Sequence, residues 1–216
     1  MTTAYGERLL KLYSAAVHDV LRAMGYANCV LPSYIRALDP QHKLAGEVYT
    51  VAGAIDRSKS AHETLLGWTG LLSKAPAGKV LVCQPHNHEI ALMGELSAET
   101  LQRKGVLGYV VDGGCRDVDF ILRAGFPVYC GFNTPKDIVA RWMPTAFGEP
   151  ISIGEVTIRS GDFLLADRDG VVIIPAAVVG EVVARTEEVA VTENKVRSAI
   201  LEGMDPQQAY LKYRKF

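Results

Sequence analysis

The chain has 216 residues, enough to bury a full hydrophobic core and near the upper end of ordinary single-domain size. Charged residues make up 22% and the formal net charge is -1, a balance that excludes an electrostatic footprint for nucleic acid or an anionic membrane surface. A small molecule or another protein is the partner to expect.

The four cysteines, Cys29, Cys83, Cys115 and Cys130, are widely spaced with no CxxC pair, and Met1-Thr2-Thr3-Ala4 does not read as a secretory leader. A reduced, cytoplasmic setting is the expectation. No apolar run approaches the roughly 20 residues of a membrane-spanning helix.

From Glu7 to Met24, apolar residues recur at Leu10, Tyr13, Val17, Leu21 and Met24, the spacing of one helical face, and Gly25 supplies the stop. After the turn-rich stretch around Pro32 and Pro40, Gly46 to Ala52 reads as a β-branched strand. Helices and short apolar strands then alternate: Leu65 to Leu72 helical, Val80 to Cys83 extended, Ile90 to Lys104 helical, Tyr109 to Val111 extended, Asp117 to Ala124 helical, Val128 to Cys130 extended. That order predicts an α/β layout whose strands are buried on both faces. Beyond Ile151 short strands with tight turns at Gly154, Ser160-Gly161 and Asp169-Gly170 predict antiparallel pairing, ending in the apolar run Val171 to Ile174. A long helix from Ala176 towards Gly203 and a short one after Asp205-Pro206 close the chain, which reads as one domain over residues 1–216 with a helical extension from about residue 176.

The chemistry concentrates in Gly108-Tyr109-Val110-Val111-Asp112-Gly113-Gly114-Cys115-Arg116-Asp117. An apolar strand runs into an acid and two glycines, then presents Arg116 and Asp117 as a helix begins. Ligands of open α/β sheets bind beyond the carboxyl ends of strands, and glycines there let a ligand approach the backbone. The bland alternative is a turn followed by a helix cap.

Glu95 adds a second carboxylate after Gly94, with twenty residues between it and Arg116-Asp117. This spacing resembles the acidic-residue, twenty-residue, Arg-Asp signature of the 4-hydroxy-4-methyl-2-oxoglutarate aldolase family, also called the RraA-like family. The resemblance continues in order through Asp19 of the first helix, the Gly46 strand, Ala77 to Val82, Pro127-Val128-Tyr129, Ser160-Gly161-Asp162 and Ala166 to Pro175. It implies a swivelling phosphohistidine-domain-like fold of β/β/α layers with mixed sheets, assembled as a homotrimer or homohexamer with active sites between neighbours.

The resemblance further implies a Mg²⁺ or Mn²⁺ ion held by Asp117 and ordered waters and chelated by a 2-oxo acid. Hard oxygen ligands with retained water suit those ions. Breaking a carbon-carbon bond beside a 2-oxo acid leaves an enolate whose charge needs stabilisation. A metal serves as Lewis acid, and Arg116 donates to the same oxygen, a task for a planar guanidinium. Glu95 would position or deprotonate a metal-bound water that carries the proton. The backbone N–H groups of Leu96 and Ser97, at a helix start, match the positions that grip the substrate carboxylate. Ser97 stands where an apolar residue is commoner. Glu193, four residues before Arg197, is the best match for a carboxylate contributed by a neighbouring subunit, ahead of Glu187 and Glu188; a solvated helical face is the competing reading for all three.

Other candidates weigh less. His86-Asn87-His88 reads as a weak pair of metal ligands or as a substrate-facing segment. Cys115 adjoins the motif but lacks a local base, so buried filler is expected. His18-Asp19 reads as packing or capping, and Asp162, Asp167 and Asp169 as turn chemistry. Asn133 to Lys136 with Arg141-Trp142 departs from the better-known aldolases and reads either as a pocket wall, with Arg141 meeting a second substrate carboxylate, or as a surface loop anchored by Trp142.

The expected function is therefore a metal-dependent lyase that cleaves a 4-hydroxy-2-oxo acid to pyruvate and a second oxo acid, with oxaloacetate decarboxylation through the same enolate. The competing function is a non-catalytic regulator, since some RraA-like proteins inhibit a ribonuclease; the intact Glu95, Arg116 and Asp117 set and the helix carrying Glu193 favour the enzyme. A third reading, a menaquinone-pathway methyltransferase, lacks the Gly-rich nucleotide-binding turn it needs.

Overall fold

A computed structural model describes residues 4–215 of the chain. Its helices are α1 (Ala4–Leu9), α2 (Ser14–Ala23), α3 (Ala61–Lys74), α4 (Glu95–Arg103), α5 (Val118–Ala124), α6 (Val179–Leu201) and α7 (Pro206–Tyr213), with a 3₁₀ turn at Ala176–Val178. The strands are β1 (Arg36–Ala37), β2 (Leu44–Ile55), β3 (Lys79–Gln84), β4 (Gly108–Val111), β5 (Gly114–Cys115), β6 (Val128–Cys130), β7 (Phe132–Asn133), β8 (Trp142–Phe147), β9 (Ile151–Ile153), β10 (Val156–Ile158), β11 (Phe163–Asp167) and β12 (Gly170–Ile174).

One mixed sheet organises the molecule, in the order β1-β6-β4-β3-β2-β11-β12. Its centre, β2-β3-β4-β6, is parallel, as the alternation of strands and helices predicts. The antiparallel pairs β9-β10 and β11-β12 follow from the tight turns at Gly154 and Asp169-Gly170. The two edges approach each other: Arg36 of β1 donates to the Asp169 carbonyl at 2.5 Å, and Cys29 to Leu31 pair with β12. The sheet is nearly closed.

The period-two pleat explains the three cores. Val80, Val82, Val110, Leu164, Ala166, Val171 and Ile173 point inward together, where the β9-β10 hairpin covers them. The alternate residues of β3, β4 and β6, among them Leu81, Tyr109 and Val128, meet α3, α4 and α5. Those of β11 and β12, Phe163, Leu165, Val172 and Ile174, meet α1, α2 and α6. The expected β/β/α layering is present, and each buried Leu, Ile or Val contributes roughly 1.5–3 kcal/mol to it.

Four local expectations need correction. The helix expected over Glu7 to Met24 is two helices, broken after Leu9 so that the Ser14 amide and hydroxyl reach Asp167 at 2.8 and 2.7 Å. The helix expected from Ile90 begins only at Glu95, because Ile90 to Leu92 pair with Gly114 instead. Trp142, read as part of a pocket wall or as the anchor of a surface loop, opens a strand, β8, that runs to Phe147 on the second half of β2. The fourth concerns His86, whose φ of +49° breaks the extended run that would have aligned it with His88.

Candidate active site

At the carboxyl end of β4 the chain turns through Asp112-Gly113-Gly114 into β5, then Arg116 and Asp117, and α5 starts at Val118. Asp117 sits in the left-handed region (φ +55°, ψ +37°), which Asp tolerates better than most residues but still at a cost of order 1 kcal/mol. That geometry turns its carboxylate away from its own helix. No side-chain cap forms on α5.

Instead the Asp117 carboxylate caps a different helix. Its Oδ2 accepts the Glu95 N–H at the start of α4 at 3.1 Å, a charge-assisted bond to a helix N-terminus. Gly94 makes the approach possible: a Cβ there would lie 2.7 Å from Asp117 Oδ2 and 3.3 Å from Arg116 Cγ and Nε. Arg116 is held by its own N–H to the Met93 carbonyl at 2.9 Å. Its Nε lies 3.6 Å from Asp117 Oδ2, and its Nη1 lies 3.4 Å from Asp137 Oδ2.

The predicted residues Glu95, Leu96, Ser97, Arg116 and Asp117 thus converge through two helix starts and one glycine. Among the described residues the Glu95 carboxylate, Asp117 Oδ1 and the N–H groups of Leu96 and Ser97 have no intramolecular partner. The Ser97 hydroxyl accepts the Trp68 indole N–H at 2.9 Å, which ties the start of α4 to α3 and gives this residue a reason of its own. A cavity of 340 Å³ opens beside the motif, lined by Cys115 to Val118 and Asn133 to Pro135. A larger groove of 500 Å³ lies between α2, α6 and the C-terminal turn, but its residues belong to helix packing and surface charge.

Glu193 is not part of this gathering. It lies on α6, which packs on α1, α2 and α7, and its carboxylate pairs with Lys215 at 3.1 Å. Glu187 is taken by Arg8 at 2.7 Å, whose guanidinium holds that carboxyl below the usual range. Glu188 is exposed.

The second acid of the loop has a different fate. Asp112 is buried, and its oxygens receive the Tyr34 hydroxyl at 2.7 Å, Gln84 Nε2 at 2.9 Å and His88 Nε2 at 3.0 Å. Burial and then the Asp112 bond push the Tyr34 phenol up to about 12. His88 is thus a partner of Asp112, and no group of three His, Cys, Asp or Glu among the described residues is arranged to hold a metal. A hard divalent ion at Asp117 would have one carboxylate from this chain and fill its other positions with water and ligand oxygens. Mg²⁺ accepts such a set readily.

The remaining candidates resolve simply. Cys115 is buried, and its contact with Cys130 followed by burial pushes the thiol well above the ordinary range, so it is inert filler. All four cysteines are free and buried. Asp162 accepts the Arg159 and Ala176 amides, and Asp167 those of Ser14 and Asp169. Asp19 pairs with Arg22 at 2.9 Å. Trp142 is the anchor, wholly buried with its indole N–H on the Pro85 carbonyl at 3.0 Å, while Arg141 is exposed. Asp137, absent from the sequence candidates, has no signature of its own. No helix among the described residues is long and apolar enough to cross a membrane.

Known proteins resemble this chain in sequence and fold. Protein DlpA of Legionella pneumophila is 30% identical over 207 residues, which cover 94% of this chain but only 32% of DlpA. A Halalkalibacterium halodurans protein with a provisional assignment as 4-hydroxy-4-methyl-2-oxoglutarate aldolase is 26% identical, covering 84% of this chain and 83% of its own. The crystal structure of Streptomyces coelicolor RraAS2, described as an unusual member of the RNase ES inhibitor RraA family, superimposes with a TM-score of 0.81 at 27% identity, over 92% of this chain and 99% of that one. The RraA-like (Aldolase/RraA) family model matches residues 14–173. The chain belongs to the RraA-like family.

Proposed function

We propose that the protein is a divalent-metal-dependent lyase acting on a small 2-oxo acid: retro-aldol cleavage of a 4-hydroxy-2-oxo acid to pyruvate and a second oxo acid, and decarboxylation of oxaloacetate. The observation that carries the reading is the junction at Gly94, where Asp117 and Arg116 meet the start of α4 with an oxygen of Asp117 and two helix N–H groups unspent. A ribonuclease inhibitor has no evident use for unspent polar groups beside a cavity. Relatives provisionally assigned as 4-hydroxy-4-methyl-2-oxoglutarate aldolases support the same choice.

In this reading the N–H groups of Leu96 and Ser97 bind the substrate carboxylate at the positive end of α4. A Mg²⁺ or Mn²⁺ ion on Asp117, when bound, supplies Lewis-acid polarisation of the 2-oxo group. Arg116 donates hydrogen bonds to the oxygen on which enolate charge develops, where preorganised donors count most. The Glu95 carboxylate holds a water and moves the proton to or from it. Glu193, on α6 and paired with Lys215 in its own chain, completes a neighbouring copy's site in a homotrimer or homohexamer.

The test is pyruvate release from oxaloacetate and from 4-hydroxy-4-methyl-2-oxoglutarate, each with Mg²⁺ and with EDTA. Turnover that EDTA abolishes is expected. Turnover indifferent to EDTA, or none from either acid by an assembled oligomer, would contradict the proposal.

A further inference from the structure

The roles above leave the segment between β7 and β8 without a task. It is nevertheless built with care. Backbone bonds fasten it on both sides of Asp137: Thr134 N–H to the Cys115 carbonyl at 3.0 Å, Ala91 N–H to the Lys136 carbonyl at 2.9 Å, and Ala140 N–H to Thr64 Oγ1 at 3.0 Å. Ile138 is buried in the core beneath it. Ala140 turns through φ +53°, a conformation that alanine holds only when its surroundings impose it. Asp137 Oδ1 accepts the Val139 N–H at 3.1 Å, which fixes the carboxylate locally and leaves Oδ2 facing Arg116 Nη1.

We infer that Asp137 is a positioning residue for Arg116. The Arg116 side chain is 40% exposed at a cavity mouth, where a long unbranched side chain has many rotamers. Asp117 faces one edge of its guanidinium and Asp137 another. Only Nη1 spends a donor in a hydrogen bond, on Asp137 Oδ2, so about four of the five N–H donors of the guanidinium stay free for a ligand. An isolated exposed ion pair is worth little to stability, so the rigid mounting of Asp137 makes better sense as orientation than as a brace for the fold. The consequence for catalysis rests on the lyase reading; the orientation of Arg116 does not.

The experiment uses Asp137→Asn, whose side-chain oxygen preserves the turn at Val139 while removing the charge beside Arg116. Expected are an unchanged melting temperature, a fall in kcat for oxaloacetate of about 10–100-fold, the usual cost of losing an orienting partner, and a KM changed less than about threefold. In an Arg116→Lys background the same change adds almost nothing, because the group it orients is gone. Reaction of Arg116 with phenylglyoxal, followed by peptide mass spectrometry, accelerates at least about threefold as the side chain is released. That readout needs no turnover. Accelerated labelling with an inactive wild type would overturn the lyase reading and leave the positioning role standing. Wild-type kcat, an equal loss in the Arg116→Lys background, or unchanged labelling would overturn the inference itself.

Discussion

Asp112 and Asp117 stand at the two ends of one short loop and have opposite fates. Asp112 is 5% exposed, and three donors consume its oxygens. The Asp117 side chain is 39% exposed, makes one hydrogen bond through Oδ2, and leaves Oδ1 without a partner. The first acid holds the loop to the strand ends; the second is held by the loop and offered outward. Buried polar groups are normally satisfied, so the informative carboxylate is the one whose capacity is left over at a cavity.

The sharpest way to break this comparison is to delete each acid. Asp117→Asn should remove metal-dependent pyruvate release by about 10³-fold or more, since Lewis-acid stabilisation is worth several kcal/mol, while asparagine, which tolerates the left-handed turn as aspartate does, keeps stability within about 1 kcal/mol of wild type. Steady-state kinetics and thermal unfolding check both halves. Asp112→Ala should show the reverse balance: about 1–3 kcal/mol lost in denaturant unfolding, because Gln84 loses a buried acceptor, with a smaller change in kcat.

Gly94→Ala falls between them. Its Cβ would press on Asp117 Oδ2 at 2.7 Å, so activity should drop about 10–100-fold, the scale of a displaced orienting contact, with little unfolding. If Gly94→Ala kept full activity, the close approach of α4 to Asp117 would be incidental.

The smallest expected effect is a pH dependence at the Asp112 end. Tyr34 has a folded pKa raised from 10.0 to about 12, so its stabilising bond is fully present below pH 10 and is lost as pH rises through about 12. Tyr34→Phe should flatten stability between those values, as urea midpoints across that window would reveal. An unchanged slope would place the alkaline sensitivity elsewhere, first at Cys83, which burial also pushes up to about 12.

Much of this was legible in the sequence. The apolar runs of β3, β4 and β12 are buried on both faces, and such runs announce central strands without help from context. The spacing of Glu95 from Arg116-Asp117 named the residues that the two helix starts bring together. What escaped notice depends on tertiary partners. No local pattern marks residues 143–147, which form most of β8; among the described strands β8 pairs with β2 alone, an edge position that tolerates Pro144. Ile90 to Leu92 have the apolar look of a helical turn, but Gly114 offers them strand bonds first. Asp137 lies twenty-one residues from Arg116, in a segment whose course no local pattern reveals.

The central claim is that Asp117 carries a hard divalent ion beside Arg116. Its most direct test is Mn²⁺ binding, followed by electron paramagnetic resonance, in the presence of oxalate, which presents the paired oxygens of a 2-oxo acid head. The account predicts that wild-type protein binds Mn²⁺ and oxalate together and that Asp117→Asn loses at least about 100-fold in Mn²⁺ affinity. Equal affinity in the two proteins would contradict it.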